Sequence, residues 1–263
     1  MLRRHPRKIL AGLAAAFLVQ ASPPAQALTI DATFTGFDTA PDERAVFEAA
    51  IDWWEMSILT DFNFQLDVDR RNLSGGTLGV SFNFAEDASF RPSSADISMD
   101  IRSDWFIDPT PHDEDEFDPT ANPSTFDAKD PGPAVGLFDY LTVAKHELGH
   151  ALGITVNYTL FAALVGPEAG GQRDFGGGLA TLGPASAGTH LDPTVHPDDL
   201  MNALLDPSQR RLQSQLNLDM LALAFNYETS LKVPEPGTLA LFGTGLIGLV
   251  LLRRRTTGRG VQA

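Results

Sequence analysis

One short segment, residues 146–150 with the sequence HELGH, constrains the fold of this chain more than any other feature. The apolar residues around it recur at helical spacing. They are Leu141, Ala144, Leu148 and Leu152. Two histidines four residues apart leave the same face of a helix, one turn from each other. Residues 138–152 are therefore predicted to form a helix that is buried along one side and presents two imidazoles.

The two imidazoles and the residue that follows the first of them are suited to zinc chemistry. His146 and His150 can place ring nitrogens about 2.0–2.1 Å from one Zn²⁺ ion. Glu147 can reach a water molecule beside the metal, take its proton and pass it to a leaving amine. We therefore predict one catalytic zinc ion, with His146 and His150 as metal ligands and Glu147 as the catalytic residue. The alternative is a surface helix that carries these residues by chance, and the apolar stripe argues against it.

Residues 146–153, HELGHALG, resemble the active-site helix of metzincin-type zinc metallopeptidases. In that family's longer pattern, HExxHxxGxxH, the glycine permits a turn to a third histidine, and a methionine turn follows beneath the metal. Gly153 is in place here, but Val156 stands where the third histidine is expected. The resemblance implies an α+β, zincin-like fold. In it, a twisted, partly open mixed sheet covers the active-site helix, with a further helix near each end of the domain.

Two histidines downstream of the motif, His190 and His196, are candidates for the third metal ligand. Leishmanolysin-like metzincins insert a long segment between the glycine and the third histidine, and residues 154–189 would be such an insert. Residues 199–202, DLMN, resemble the methionine turn. The resemblance therefore implies that the third ligand precedes this turn.

Of the two candidates, we favour His190 as the third ligand. Ten residues separate it from Met201, which leaves enough chain to pass from the metal to a turn beneath it. His196 is followed at once by Pro197, which restricts its backbone without forbidding ligation. Glu168 is a weaker alternative, because a gluzincin-like ligand should lie on a helix and its Gly- and Pro-rich surroundings predict a loop.

Hydrophobic periodicity outside the motif predicts the order strand, helix, strand, strand, strand before the active-site helix. The predicted strands cover residues 28–36, 62–68, 77–84 and 95–102. The first helix is predicted to begin at Pro41, and a last helix to be capped by Ser214. Residues 104–133 and 166–188 are predicted to be loops, since they are rich in polar residues, proline or glycine.

The N-terminus has the pattern of a secretory signal peptide. Four basic residues within residues 3–8 precede an apolar run at residues 9–19, and Ala25-Gln26-Ala27 provides the small-x-small cleavage site. The run is too short to span a membrane comfortably, which argues against the alternative of a membrane anchor. Residues 1–27 are therefore predicted to be removed by signal peptidase during export.

The C-terminus resembles the PEP-CTERM sorting signal of Gram-negative bacteria. Residues 233–236, VPEP, precede an apolar run at residues 237–252 and three arginines at 253–255. The resemblance implies a tail at 233–263 with a short transmembrane helix that anchors the chain transiently, and an exosortase-type enzyme that cleaves it. The protein would then reside in the cell envelope, at the outer surface or outside the cell. A permanent tail anchor is the alternative.

Composition excludes several classes of function. The chain has 263 residues, with 34 Asp and Glu, 19 Lys and Arg, and no cysteine. Cysteine-ligated zinc and thiol catalysis are therefore excluded. Without the eight basic residues at the two ends, residues 28–236 carry 11 basic and 34 acidic residues, a net charge of −23. This charge argues against nucleic acid as a partner, since the domain would repel the phosphates. The acidic run at residues 112–116 is expected to be a solvated surface, with calcium binding as the weaker alternative.

These features together predict a metallopeptidase-like catalytic domain at residues 28–232. Its expected activity is that of an exported zinc-dependent endopeptidase acting on a peptide or protein substrate. The alternative function is that of a sorted surface or exopolysaccharide-matrix protein whose zinc site is structural or inactive. The valine at position 156 motivates this alternative, whereas the intact Glu147 favours the enzyme.

Overall fold

The computed structural model describes residues 27–184 and 188–231, and its helices and strands form an α+β fold, as predicted. The strands are β1 (Thr29–Thr35), β2 (Asn63–Arg71), β3 (Gly79–Glu86), β4 (Pro92–Asp100), β5 (Trp105–Phe106), β6 (Phe117–Pro119), β7 (Thr125–Ala128), β8 (Phe138–Asp139), β9 (Val165–Ala169), β10 (Gln172–Phe175), β11 (Ala180–Leu182) and β12 (Gln209–Arg211). The helices are α1 (Pro41–Ser57), α2 (Tyr140–Ala151), α3 (Thr159–Ala162) and α4 (Gln215–Phe225). The predicted sorting tail and all but the last residue of the predicted signal peptide lie outside the described residues.

The largest sheet has the strand order β1-β2-β4-β3. β1, β2 and β4 run parallel, and β3 is an edge strand antiparallel to β4. The crossover between the parallel strands β1 and β2 is made by α1, as such pairs require. The four predicted strands and the helix between the first two are confirmed in their predicted order, and the sheet is mixed as expected. Four further short strands, β5 to β8, follow them before α2.

The main core lies between this sheet and the helices α1 and α2. Alternate residues of β2, among them Phe64 and Leu66, are buried as the period-two pattern requires. All four residues of the apolar stripe predicted on α2 are completely buried. Trp54 on α1 is also buried, and its indole Nε1 donates a hydrogen bond of 3.0 Å to the Lys145 carbonyl. The helix that bears both histidines is thus held from several sides.

The active-site helix begins two residues later than predicted. Phe138 and Asp139 form β8, which pairs in parallel with β5. Asp139 is the N-cap of α2, and its carboxylate accepts a hydrogen bond of 3.1 Å from the Thr142 amide. Aspartate is favoured at this position because it satisfies an otherwise free amide of the first turn.

The two segments predicted as loops contain short strands instead. Residues 104–133 hold β5, β6 and β7, which pair with β8 and β12 from distant parts of the chain. Residues 166–188 include most of the antiparallel sheet β11-β10-β9. Both predictions were wrong because glycine and proline mark turns, and strands of two to five residues between them carry little periodicity.

The predicted C-terminal helix is confirmed with its cap. The Ser214 hydroxyl accepts a hydrogen bond from the Asn217 amide, and the Asn217 side chain accepts one from the Ser214 amide. This reciprocal pair satisfies two amides at the helix N-terminus. Within residues 27–184 and 188–231, no helix is sufficiently long and apolar to cross a membrane.

Candidate metal centre

Three histidine side chains converge at one point in the described chain. His146 and His150 extend from one face of α2, and His190 lies in the segment between β11 and Met201. The three Nε2 atoms are separated by 3.0 Å between His146 and His150, 3.1 Å between His150 and His190, and 3.2 Å between His146 and His190. These spacings leave room for a point about 2.0–2.1 Å from all three nitrogens, the distance of a zinc–imidazole bond.

The hydrogen bonds on the far side of two rings are compatible with a cation held by the cluster. His146 Nδ1 lies 2.7 Å from the Leu200 carbonyl oxygen, and His150 Nδ1 lies 2.7 Å from the Ile154 carbonyl oxygen. A carbonyl oxygen only accepts, so both Nδ1 atoms must carry the proton. In the neutral rings, the two Nε2 atoms are then bare lone pairs 3.0 Å apart, which repel each other unless a cation lies between them. Backbone carbonyls that fix the tautomer in this way are typical partners of metal-binding histidines.

The surroundings also keep the two helical histidines neutral. Burial lowers the pKa of His146 to about 4, against a smaller opposing effect of its hydrogen bond to Leu200. Burial lowers the pKa of His150 well below its usual value, and the two neighbouring histidines lower it further. Neutral imidazole is the form that binds metal. The donor set therefore fits zinc.

The carboxylate of Glu147 is buried beside the histidines and oriented by the edge strand β3. The Ser81 hydroxyl lies 2.7 Å from Glu147 Oε2 and 2.8 Å from the Glu147 carbonyl oxygen, and it donates to this residue. Burial raises the pKa of the Glu147 carboxyl to about 7, against the lowering effect of the Ser81 hydrogen bonds. Gly79 permits the close approach of β3, because a Cβ there would lie 2.8 Å from Glu147 Cγ.

A turn around Met201 packs against α2 at Gly149. Met201 is completely buried, and it packs so closely on Gly149 that a Cβ there would lie 2.6 Å from its sulfur. The Met201 carbonyl accepts a hydrogen bond of 3.0 Å from the Leu191 amide. This bond ties the turn to the residue after His190. The carbonyl oxygen of Leu200, the residue before Met201, lies 2.7 Å from His146 Nδ1, so the turn adjoins the histidine cluster.

Strand β12 connects the start of the active-site helix to the methionine turn. Arg210 donates to both carboxylate oxygens of Asp139, the N-cap of α2, at 2.8 and 3.0 Å. The next residue, Arg211, donates through Nη1 to the carbonyl oxygens of Asp199 and Leu204, at 3.1 and 2.8 Å. Two adjacent arginines thus hold the helix and the turn in a fixed relation.

A cavity of about 580 Å³ opens in front of the histidines. Its lining includes all three histidines, Glu147, Ser81 and Arg211. A site of this size can hold several residues of an extended peptide, since ligand sites commonly enclose about 300–1,000 Å³. The histidine cluster is therefore open to a ligand rather than sealed in the core.

The other sequence candidates lie away from the histidine cluster. His196 is half-buried, and its Nε2 accepts a hydrogen bond of 3.4 Å from the Thr181 amide. Glu168 is exposed on β9 opposite Arg173. Val156 is half-buried against the core, so the position of the family's third histidine serves packing here. Of the two downstream histidines, the structure brings His190 to the other two, as we expected.

Two residues of the acidic run at 112–116 accept hydrogen bonds within the fold. Glu114 accepts a hydrogen bond of 3.0 Å from Arg210, and Asp113 accepts one from the Asp115 amide. Across residues 27–184 and 188–231, the histidine cluster is the one group of His, Cys, Asp and Glu side chains whose ligand atoms converge. The geometry therefore gives the calcium alternative no support.

Four residues of the site were not predicted: Ser81, Asp139, Arg210 and Arg211. Asp139 left a readable signal, because an aspartate three residues before a threonine at the start of a helical pattern marks an N-cap. The other three residues gave no sequence signal, since serine and arginine are common in strands and do not by themselves mark a site. Their roles arise from which strand lies next to α2.

Gly153 forms the turn that follows the two histidines. Its φ is +139°, and a Cβ there would lie 2.3 Å from a ring carbon of Phe225. Gly153→Ala is therefore expected to lower the free energy of unfolding by about 3 kcal/mol, through backbone strain and overpacking. Gly177→Ala is the control, because Gly177 has a φ of +70° but open space around it, and we expect about 1 kcal/mol. Urea denaturation measures both, and equal losses would contradict a steric role for Phe225.

Comparison with known families identifies the C-terminal segment. Residues 232–255 match the PEP-CTERM protein-sorting motif, which confirms the sorting signal read from the sequence. The motif marks an exported protein that is directed to the cell envelope or surface and recognised by an exosortase-type enzyme. It covers the tail and not the domain that holds the histidines. No match to the chain is found among curated proteins.

Proposed function

We propose that the chain is an exported zinc-dependent endopeptidase of metzincin-like fold. The observation that supports it best is a three-histidine cluster with one side open to a cavity. No fourth His, Cys, Asp or Glu of the described residues joins the cluster. Structural zinc sites are closed by four protein ligands, whereas catalytic sites keep a position free for water or substrate.

Different residues of the chain would bind the metal, transfer the proton and orient the imidazole rings. A zinc ion held by His146, His150 and His190 would polarise the peptide carbonyl and acidify a water molecule. Glu147 lies beside the cluster in the same cavity, so it can accept a proton from that water and return it to the leaving amine. The carbonyls of Leu200 and Ile154 hold two of the rings in the required tautomer.

The edge strand β3 favours an extended peptide as the substrate. β3 is the last strand of its sheet, and its residues Gly79, Val80 and Ser81 line the cavity. An extended chain can add to such an edge through backbone hydrogen bonds. A peptide bound there lies next to Glu147, because Ser81 contacts the Glu147 carboxylate.

Ser81 is expected to position the catalytic carboxylate. Ser81→Ala should lower kcat about tenfold with KM little changed, because a hydrogen bond to a charged group contributes about 1.5–3 kcal/mol. Ser81→Thr keeps the hydroxyl and should retain most of the activity. Steady-state kinetics on one peptide measures both variants. Equal kcat in Ser81→Ala and wild type would contradict this role.

The processing of both termini is expected to leave only the domain. Mature protein from the native host should begin near Leu28 and lack Arg253, Arg254 and Arg255, because one enzyme cleaves after Ala27 and another within the tail. Intact-mass measurement of the secreted form tests this. A secreted form that keeps the three arginines would contradict removal of the tail.

Zinc-dependent cleavage by the purified protein tests the proposed activity. The substrates are casein and a broad peptide library, assayed before chelation, after chelation and after zinc is restored. We expect cleavage that is lost with the metal and recovered with it. Full zinc occupancy without cleavage of any substrate would overturn the enzyme and favour a surface protein with a structural zinc site.

A further inference from the structure

Arg210 and Arg211 are adjacent buried arginines, but only Arg210 forms ion pairs with carboxylates. The Arg210 guanidinium lies within 3.0 Å of carboxylate oxygens of Asp108, Glu114 and Asp139. Arg211 is only 4% exposed, yet among the described residues no carboxylate lies within 4.0 Å of it. Buried cations are ordinarily paired, so a lone buried arginine calls for an explanation.

The hydrogen bonds of Arg211 fix the guanidinium but leave one nitrogen unused. Nε donates to the Gln209 side chain at 2.8 Å, and Nη1 donates to the two carbonyls of the methionine-turn segment. All three acceptors are neutral. Nη2 donates to no atom of residues 27–184 or 188–231, and it is not among the fully enclosed polar atoms that lack a partner. The side chain is therefore rigid, with a charged N–H group still available.

Arg211 lines the cavity of the metal centre together with the three histidines. Its neighbours along the wall include Leu204 and Leu205, and Phe138 and Val143 also line the cavity. Besides the histidines, the titratable side chains of the lining are Glu147 and Arg211. Although the domain is strongly acidic, the cavity itself presents a permanent positive charge in partly apolar surroundings.

Burial lowers the pKa of Arg211, and the more distant carboxylates of Asp198, Asp199 and Asp206 oppose that effect. The guanidinium nevertheless stays charged at any physiological pH. One of these carboxylates, that of Asp199, already has hydrogen-bond partners of its own. It accepts hydrogen bonds from the Met201 amide, from Asn217 and from Ser214.

We propose that Arg211 binds a carboxylate of the substrate, so that the enzyme prefers an acidic group next to the bond it cleaves. This inference rests on the proposed peptidase function. A charge-assisted hydrogen bond from a rigid guanidinium to a carboxylate is among the stronger polar contacts in proteins. The carboxylate comes either from an Asp or Glu side chain or from the free C-terminus of a short peptide. Both sources have the same chemistry and require the same residue.

Matched substrates test the preference in the wild-type protein. The substrates are pairs of fluorogenic peptides that differ at one position flanking the scissile bond, where one has Asp or Glu and the other has Asn or Gln. Each peptide is made with a free and with an amidated C-terminus. We expect kcat/KM to be about 10- to 100-fold higher for the acid than for its amide at one position. If the gain instead follows the free C-terminus, the terminal carboxylate is the group that Arg211 binds. Equal rates for every acid and amide pair, with cleavage intact, would overturn the proposal and leave the peptidase standing.

Variants assign the preference to Arg211. In Arg211→Gln the ratio of acid to amide should fall to about one, and Arg211→Lys should retain part of it. Arg173→Gln, at a half-buried arginine outside the cavity lining, is the control and should keep the wild-type ratio. An unchanged ratio in Arg211→Gln would overturn the assignment. If that variant does not fold, the ratio of acid to amide cleavage in Arg211→Lys and in wild type still tests the proposal.

A binding measurement separates this proposal from the peptidase function. Titration of the zinc-loaded Glu147→Gln protein with acid and amide peptides by calorimetry does not require turnover. Tighter binding of the acid by about tenfold or more is expected. If no peptide is cleaved by wild type but the acid is still bound more tightly, the peptidase fails and the carboxylate site stands. Equal binding of acid and amide would overturn the carboxylate site.

Discussion

Glu147→Gln is expected to lower peptide hydrolysis at least about 100-fold and to leave the zinc content unchanged. Glutamine keeps the size of the side chain and can still accept a hydrogen bond from Ser81, which lies 2.7 Å from the carboxylate. It cannot take a proton from water. The loss should therefore appear in kcat rather than in substrate binding.

The matched control for this variant is Glu168→Gln. Glu168 is exposed on β9, and it does not line the cavity of the metal centre. Its substitution should leave kcat and KM at wild-type values. Cleavage by Glu147→Gln at the wild-type rate would show that another group accepts the proton, and the proposed role of Glu147 would be wrong.

His190→Ala should abolish tight zinc binding. Three imidazoles converge on one point in the structure, and two imidazoles alone hold zinc weakly. Zinc per chain, measured by atomic absorption after dialysis, should fall from about one to near zero in the variant. His150→Ala should have the same result, because it also removes one of the three nitrogens.

His196→Ala is the matched control for zinc binding. It removes a histidine from the same segment, six residues further along, whose ring contacts the Thr181 amide instead of the cluster. Zinc content and activity should stay close to those of wild type. Full zinc occupancy in His190→Ala, or loss of zinc in His196→Ala, would refute the assignment of His190.

The parts of the fold that sequence reasoning found are those governed by local pattern. β2 buries alternate residues, β4 buries the predicted Ile97 and Met99, and α2 buries the stripe read from its spacing. Each of these patterns repeats over several turns or residue pairs, so burial of one face dictates the element. The helix cap at Ser214 could also be predicted from nearby residues, because its partner Asn217 lies three residues away.

The choice of His190 rested on chain geometry and not on a local motif. In the family pattern that residues 146–153 resemble, the third histidine follows the glycine by three residues, and Val156 stands at that position in this chain. The chain instead passes through the sheet β11-β10-β9 before it returns to the metal centre. That sheet was missed, although His190, the histidine favoured from the sequence, is the one that joins His146 and His150.

The polar contacts around the site could not be read from the sequence, because they depend on which distant segments meet. Ser81 reaches Glu147 only because β3 is placed at the edge next to α2. Arg210 and Asp139 are far apart in the chain but form two hydrogen bonds through strand pairing around β12. Such pairs become visible only when the register of the strands is known.

Anomalous diffraction at the zinc edge, from crystals of the purified protein, tests the three-histidine centre most directly. We expect a single strong peak about 2.0–2.1 Å from the Nε2 atoms of His146, His150 and His190, with no other protein ligand. A peak at His196 or in the acidic run at residues 112–116, or an empty cluster in protein grown and purified with zinc, would contradict the proposed centre.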